Sequence, residues 1–416
     1  MAKIYLNKLV SSLGVLLLLC QFGYVVCQST NSSDRNATLR EDEETALDDL
    51  MITLGLGLLL SSPCDNNYRG IKCECPNENN TVCHVTGLDL SNRELDGQIN
   101  ATALTSLVFL EKIDLSHNQL HGSIPDVTMG NLCSLTSLDL SDNFLNGSIP
   151  SFLESLTSSL GYLDLSGNFL IGSIPSSLGN LSSLYTLDLG FNELSGQLPP
   201  ELGRLGYLSY LGLSSNSLGG KLPEKYANFT RLQWFSVAGN RLTGQVPRFI
   251  ANWTELYYLF LSGNDFEGKL PLEPLFNMSN LRYLFVSDVR SSAGFPFPKN
   301  ANMMGIRYLV IRNCSISGEI PPYIGDWSWL TYLDLSFNNL TGGIPDSMKK
   351  LNLSKMFLTG NMLNGTVPSW VPDTIEDKAD LSYNNFEIPR DGPKKGERKL
   401  NIRFLVYKLW RRRHSF

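Results

Sequence analysis

An α/β repeat solenoid is the fold class this sequence predicts, and three observations predict it. The stretch from Leu110 to Pro125, LEKIDLSHNQLHGSIP, reduces to the skeleton L-x-x-L-x-L-x-x-N-x-L-x-G-x-I-P. The position of its Asn recurs at Arg93, Asn118, Asn143, Asn168, Asn192, Asn216, Asn240, Asn264, Val289, Cys314, Asn338, Asn361 and Asn384, every 23 to 25 residues. Within each copy, leucines alternate with polar residues over only a few positions, the period of a short half-buried strand. A unit this small cannot bury its apolar face alone. Neighbours must stack, giving a curved solenoid with a parallel β-sheet on its concave face.

The chemistry of one copy explains the repetition. In Leu138-Asp139-Leu140 the leucines point inward and the aspartate outward. The Asn comes where the chain turns off the strand, and its amide can both donate to and accept from backbone groups that no ladder serves. Gly147 permits backbone angles closed to other residues, and Pro150 sets the next φ. Thirteen units of this kind are leucine-rich repeats, expected over residues 85–389.

Composition agrees with that reading. A hydrophobic content of 42%, with 35 Gly and 20 Pro, suits many short strands and turns, and a solenoid core grows along one axis without dividing into domains. A net charge of −6 gives no reason to expect a nucleic-acid partner. The charge is unevenly spread. Residues 390–416 hold ten Lys and Arg against Asp391 and Glu397, a balance of +8 that leaves −14 for residues 1–389.

Residues 1–27 read as a secretory signal: Lys3 and Lys8 precede an apolar run from Leu9 to Leu19, and Val25-Val26-Cys27 can precede a cleavage site. Glycosylation sequons agree with export to the cell surface or apoplast. They stand at Asn31, Asn36, Asn79, Asn100, Asn146, Asn180, Asn228, Asn252, Asn277, Asn339, Asn352 and Asn364, with a further one at Asn313 expected to be hindered by the adjoining strand.

Residues 28–84 read as a cysteine-rich N-terminal cap. Thr45 to Leu60 has helix-like apolar spacing and is too short to cross a bilayer, so a capping helix over the first repeat is expected. Cys64, Cys73, Cys75 and Cys83 follow. Four clustered cysteines in an exported protein imply two disulfides, although their number would also suit zinc. Three pairings are open. Cys73 and Cys75 are too close in an extended chain to pair comfortably, and Cys64–Cys73 with Cys75–Cys83 is the expected pairing. Cys133 and Cys314 are expected to be buried thiols acting as small hydrophobes.

The G-x-I-P ending resembles the plant class of these repeats, found in receptor-like kinases and polygalacturonase-inhibiting proteins. RGIKC (Arg69–Cys73) resembles the G-[IV]-x-C element in the cap of plant receptor-like kinases. CECPNENNTVCHVTGLDL (Cys75–Leu90) is similar to a narrower subgroup, in which a malectin-like domain, one membrane span and a Ser/Thr kinase follow the repeats. Tyr68 departs from the Trp usual in the broader class. The resemblance covers roughly residues 35–389. It implies an extracellular recognition module whose signal passes through a kinase absent from this chain, with the basic tail 390–416 a cut-short continuation. A secreted inhibitor or decoy, and a gene-model fragment without function, are the alternatives. Leu400–Trp410 is too short and too charged to span a membrane, so no span beyond the signal segment is expected.

Candidate binding residues come from the strand positions that face outward. The middle position is Asp89, Asp114, Asp139, Asp164 and Asp188, then Gly212, Ser236, Phe260, Phe285 and Val310, before reverting to Asp334. The preceding position carries Tyr162, Tyr210, Trp234, Tyr258, Tyr283, Tyr308 and Tyr332. Phe260 and Phe285 stand where polar residues are the rule, so repeats seven to ten are expected to expose an aromatic stripe. Arg282, Arg307 and Arg312 lie nearby. The predicted ligand site is Trp234, Tyr258, Phe260, Tyr283, Phe285, Tyr308, Val310, Arg312 and Tyr332, taking an extracellular peptide, glycan or protein, with a co-receptor kinase as a further partner. The ninth repeat, VSDVRSSAGFPFPKNANMMG, puts Val289 where the turn needs an amide and must rearrange its backbone. No catalytic constellation is present: His84, His117, His121 and His414 offer few bases, and the Asp column repeats without a distinguishing pocket. No metal and no cofactor is expected.

Overall fold

The computed structural model describes residues 38–57, 64, 70–75, 82–125, 132–156, 159–371 and 379–387. The signal segment, the sequons Asn31, Asn36 and Asn79, and the tail 390–416 lie outside them.

Each repeat contributes one short strand to a fifteen-stranded sheet, and the strands follow one another in chain order from Thr38–Leu39 to Ala379–Asp380. All pair in parallel except Ile71–Glu74, which returns antiparallel along Val82–Asp89. The register aligns equivalent residues: Leu138 opposes Leu163, Leu163 opposes Leu187, and Leu187 opposes Leu211. The leucines therefore form continuous buried rows, each side chain stabilising the fold by roughly 1.5–3 kcal/mol relative to exposure.

The asparagines tie each repeat to the one before. Asn143 donates from Nδ2 to the carbonyls of Leu115, Leu140 and Ser141 at 2.9, 3.2 and 3.1 Å, and its Oδ1 accepts from the Leu120 N–H at 3.0 Å. The residue just before the asparagine takes a left-handed conformation, as at His117 (φ 55°) and Phe191 (φ 54°), which turns the chain off the strand. Gly147 has φ 77°, as its place in the pattern requires. After the I-P ending, 3-10 turns such as Ser176–Asn180 and Arg248–Asn252 carry the chain back.

In the two consecutive repeats where Val289 and Cys314 replace the asparagine, the strand runs on. Tyr283–Ser287 and Tyr308–Arg312 are five residues long, and their ladder continues through Val286–Ile311 and Ser287–Arg312. Val289 and Cys314 are buried at the two asparagine positions. The flanking second sheet also divides here. Seven strands run from His121–Ser123 to Asp265–Phe266, and three more start at Phe295–Pro296, with an isolated Glu267–Arg290 bridge between the two groups.

The cap departs from expectation at its start. Its helix spans Glu41–Thr53, not Thr45–Leu60. Glu41, Asp42, Glu43 and Glu44 occupy the first turn, where the helix dipole favours acids, and Gly55 (φ 91°) lies just past the helical end. Glu43 is 1% exposed and accepts from the Val85 N–H at 2.9 Å while its other oxygen meets His84 Nδ1 at 2.6 Å. That contact fastens the cap helix to the strand Val82–Asp89. Disulfides join Cys64 to Cys73 and Cys75 to Cys83, with Cα–Cα separations of 5.4 and 4.2 Å.

Candidate functional site

The parallel register stacks equivalent outward residues of successive strands about 4.8 Å apart, so any aromatic column becomes a continuous pile. Tyr210 stacks on Trp234 with centroids 5.3 Å apart, and Trp234 meets Tyr258 at 4.5 Å. The pile continues through Tyr258–Tyr283 at 4.7 Å, Tyr283–Tyr308 at 5.0 Å and Tyr308–Tyr332 at 5.3 Å. Beside it, Phe260 lies 5.0 Å from Trp234 and 5.1 Å from Phe285.

This packing corrects the expectation of an exposed stripe. Phe260 is only 7% exposed, Trp234 2%, and Val310 is buried as well. Phe260 does point away from the leucine core, but Trp234 and Phe285 cover it from the adjacent strands. Tyr258, Tyr283, Phe285, Tyr308 and Tyr332 are half-buried, each keeping part of its surface open to solvent, and Arg312 is exposed. Burial raises the Tyr258 and Tyr332 phenols above their ordinary range. The Trp234 indole N–H is buried without a hydrogen-bond partner among the described residues.

The first half of the same face is acidic. Asp139 and Asp164 each accept the N–H and hydroxyl of the serine two residues on. The Tyr162 hydroxyl lies 3.2 Å from Asp139 Oδ2 and 3.3 Å from Asp164 Oδ2, and the Tyr210 hydroxyl donates to Asp188 Oδ2 at 2.8 Å. Burial raises the Asp139 carboxyl and, with the neighbouring acids, lifts Asp164 well above the carboxylate range. Burial likewise pushes Asp188 up to about 6. These contacts give the Asp column a structural role: each carboxylate closes the turn that follows its strand.

Other expected sites fall elsewhere. Cys133 is exposed, because its side chain leaves the segment leading into the strand on the solvent side; Cys314 is buried, and desolvation pushes its thiol up to about 12. Asn313 is exposed, with its amide nitrogen donating to Asp288 Oδ1 at 2.8 Å. Asn146, Asn180, Asn228, Asn252, Asn277, Asn339, Asn352 and Asn364 are exposed and Asn100 is half-buried, its side chain accepting from the Ala103 N–H. His117 and His121 sit at the surface beside Asp142 and Asp96. Among the described residues no helix is long and apolar enough to cross a membrane, and no cluster of three His, Cys, Asp or Glu is placed to hold a metal. Sequence reasoning missed Glu43, whose partner His84 is 41 residues away.

A stacked parallel sheet, an asparagine ladder and a disulfide-bonded cap define a leucine-rich-repeat solenoid. A family model described as Leucine Rich Repeat matches residues 109–130, 134–156, 159–181, 183–205, 305–327 and 329–351. An LRR receptor-like serine/threonine-protein kinase of Arabidopsis thaliana is 47% identical over 81 residues, 19% of this chain and 8% of that protein. A second from the same plant is 46% identical over 67 residues, 16% of this chain and 7% of that protein. The chain therefore carries leucine-rich repeats and is homologous to plant LRR receptor-like kinases, of whose length the matched segments are less than a tenth. Among solved structures, PEPR1 with AtPEP1 gives a TM-score of 0.71 at 30% identity, over 83% of this chain and 49% of that one. The Arabidopsis receptor kinase HAESA, in complex with the peptide hormone IDA and the co-receptor SERK1, gives 0.70 at 28% identity, over 83% of this chain and 62% of that one.

Proposed function

We propose that this chain is the extracellular recognition module of a plant receptor-like-kinase type protein, acting at the cell surface or in the apoplast. It binds an extended peptide on its concave face without turnover. One observation carries the reading: an unbroken aromatic column from Tyr210 to Tyr332 whose half-buried members stay partly open to solvent. Rigid aromatic surface with polar rims is what buries against a partner at little entropic cost. Related ectodomains whose structures contain peptide hormones or a co-receptor support it. Signalling would pass to a kinase, and the subgroup with a malectin-like domain remains the finer assignment suggested by Cys75–Leu90.

The test is selection of binding peptides from a random displayed library on the secreted chain. Tyr283→Ser and Tyr308→Ser should each weaken the selected peptides at least tenfold, and losing two stacked neighbours apiece should lower the urea midpoint by about 1 M or less, leaving the chain folded where binding is measured. Selected peptides indifferent to both substitutions would place recognition elsewhere on the solenoid.

A further inference from the structure

The cations beside the aromatic column are paired with rings, not carboxylates. The Arg231 guanidinium lies 4.7 Å from the centre of the Tyr207 ring, Arg282 lies 5.7 Å from Tyr257, and Arg307 lies 5.6 Å from Trp329. The Arg and Lys ion pairs among the described residues engage other cations: Arg40, Lys72, Arg248, Arg290 and Lys350. A guanidinium has five donors in its plane and none on its faces. A ring against one face therefore holds the plane in place and leaves edge donors free. Arg282 is held further by donating to the Ser279 carbonyl at 2.9 Å. Tyr207 and Trp329 are 56% and 60% exposed, and Arg231 and Arg307 are exposed beside them.

Arg282 and Arg307 form a rim along one edge of the concave face. They hold equivalent places in adjacent repeats, joined by the Arg307 N–H to the Arg282 carbonyl at 2.8 Å, and each immediately precedes a tyrosine of the column. Arg231 stands outside this row: Gln233 holds the equivalent place in its repeat, and Glu255 holds the place of Arg231 in the next. The rim thus covers one strand spacing, about 4.8 Å, or one to two residues of an extended chain. The Asp column of the first five repeats would repel the same partner, which confines an anion to this half of the face.

We infer that this rim binds an acidic segment of an extended peptide, with side-chain carboxylates paired to the preset guanidinium edges. The inference rests on the peptide-binding reading above and adds to it the partner's chemistry and register: an acidic pair within three positions, lying over repeats nine and ten. Bidentate carboxylate pairing suits Arg and not Lys.

The same displayed library, selected on the full secreted chain, tests it. Peptides that depend on Tyr283 and Tyr308 should carry at least two Asp or Glu within three positions. They should lose about tenfold or more in affinity with Arg307→Ala, which removes a charge-assisted hydrogen bond, and should gain little back with Arg307→Lys. Arg307 is exposed, so an unchanged unfolding midpoint should accompany this loss. Column-dependent peptides without acidic residues, or unaffected by Arg307→Glu, overturn the inference and leave the peptide reading standing. Absence of any column-dependent peptide overturns that reading itself. Arg-dependent binding of a linear ten-residue oligouronate, with no acidic peptide selected, would make the rim a glycan site and overturn the inference as well.

Discussion

Replacing Phe260 with Ala tests whether the concave aromatics hold the fold or wait for a ligand. The ring is 7% exposed and lies 5.0 Å from Trp234 and 5.1 Å from Phe285. Truncation to Ala removes about 130 Å² of buried apolar surface, worth about 3 kcal/mol at 25 cal/mol per Å². A compact unfolded chain reduces this by roughly 10–40%, and loss of the two aromatic pairs restores a similar amount. The expected cost is about 3 kcal/mol, which lowers the urea midpoint by about 1 M for an m-value near 3 kcal/mol/M. Equilibrium urea unfolding followed by circular dichroism measures it, with Phe260→Leu as a milder control costing about 1 kcal/mol. An unchanged midpoint would refute the packing role and return Phe260 to the ligand-contacting set.

Three further outcomes follow from the same geometry. Asn143→Ala leaves the Leu120 N–H unpaired in a dry interior and the Leu115 carbonyl with Asn118 as its remaining amide donor, and urea unfolding should show a loss of about 1–3 kcal/mol. Asp188, lifted by burial from 3.8 to about 6, keeps a proton in the folded chain that the unfolded chain releases between those values, so its contribution to stability falls as pH rises from about 4 to about 6. The shift corresponds to roughly 3 kcal/mol; Asp188→Asn, measured against the parent at pH 4 and pH 7, should gain relative stability at the higher pH. Cys75→Ser opens the bond to Cys83 and should cost about 2–3 kcal/mol, seen as faster amide exchange along Val82–Asp89.

The repeat architecture was legible because a solenoid writes its contacts as a period. Leu138, Asn143 and Gly147 each make in space the contact their place in the pattern implies, since the partner is always the same position one repeat away. The disulfide pairing was legible for a related reason: both bonds are local. What escaped was set by neighbours outside the period. Phe260 is covered by Trp234 and Phe285, and no rule about one strand position foresees two large rings on adjacent strands. The loss of Asn264's counterpart at Val289 predicted rearrangement but not its form, a strand lengthened by two residues, because that depended on Cys314 breaking the ladder in the next repeat too. The helix start at Glu41 depended on His84 and Val85, far along the chain, to bury Glu43. The aromatic column was thus legible at its strands, with the wrong exposure at Trp234, Phe260 and Val310.

The most direct test of concave-face recognition is photo-crosslinking. A selected peptide carrying one photoreactive residue, bound to the secreted chain, is irradiated, and the crosslinked residues are read by peptide mass spectrometry. Crosslinks at Tyr258, Tyr283, Tyr308, Tyr332 or Arg312 are the predicted result. Crosslinks concentrated on the flanking sheet, where Phe144, Phe169 and Ile171 are exposed, would contradict it.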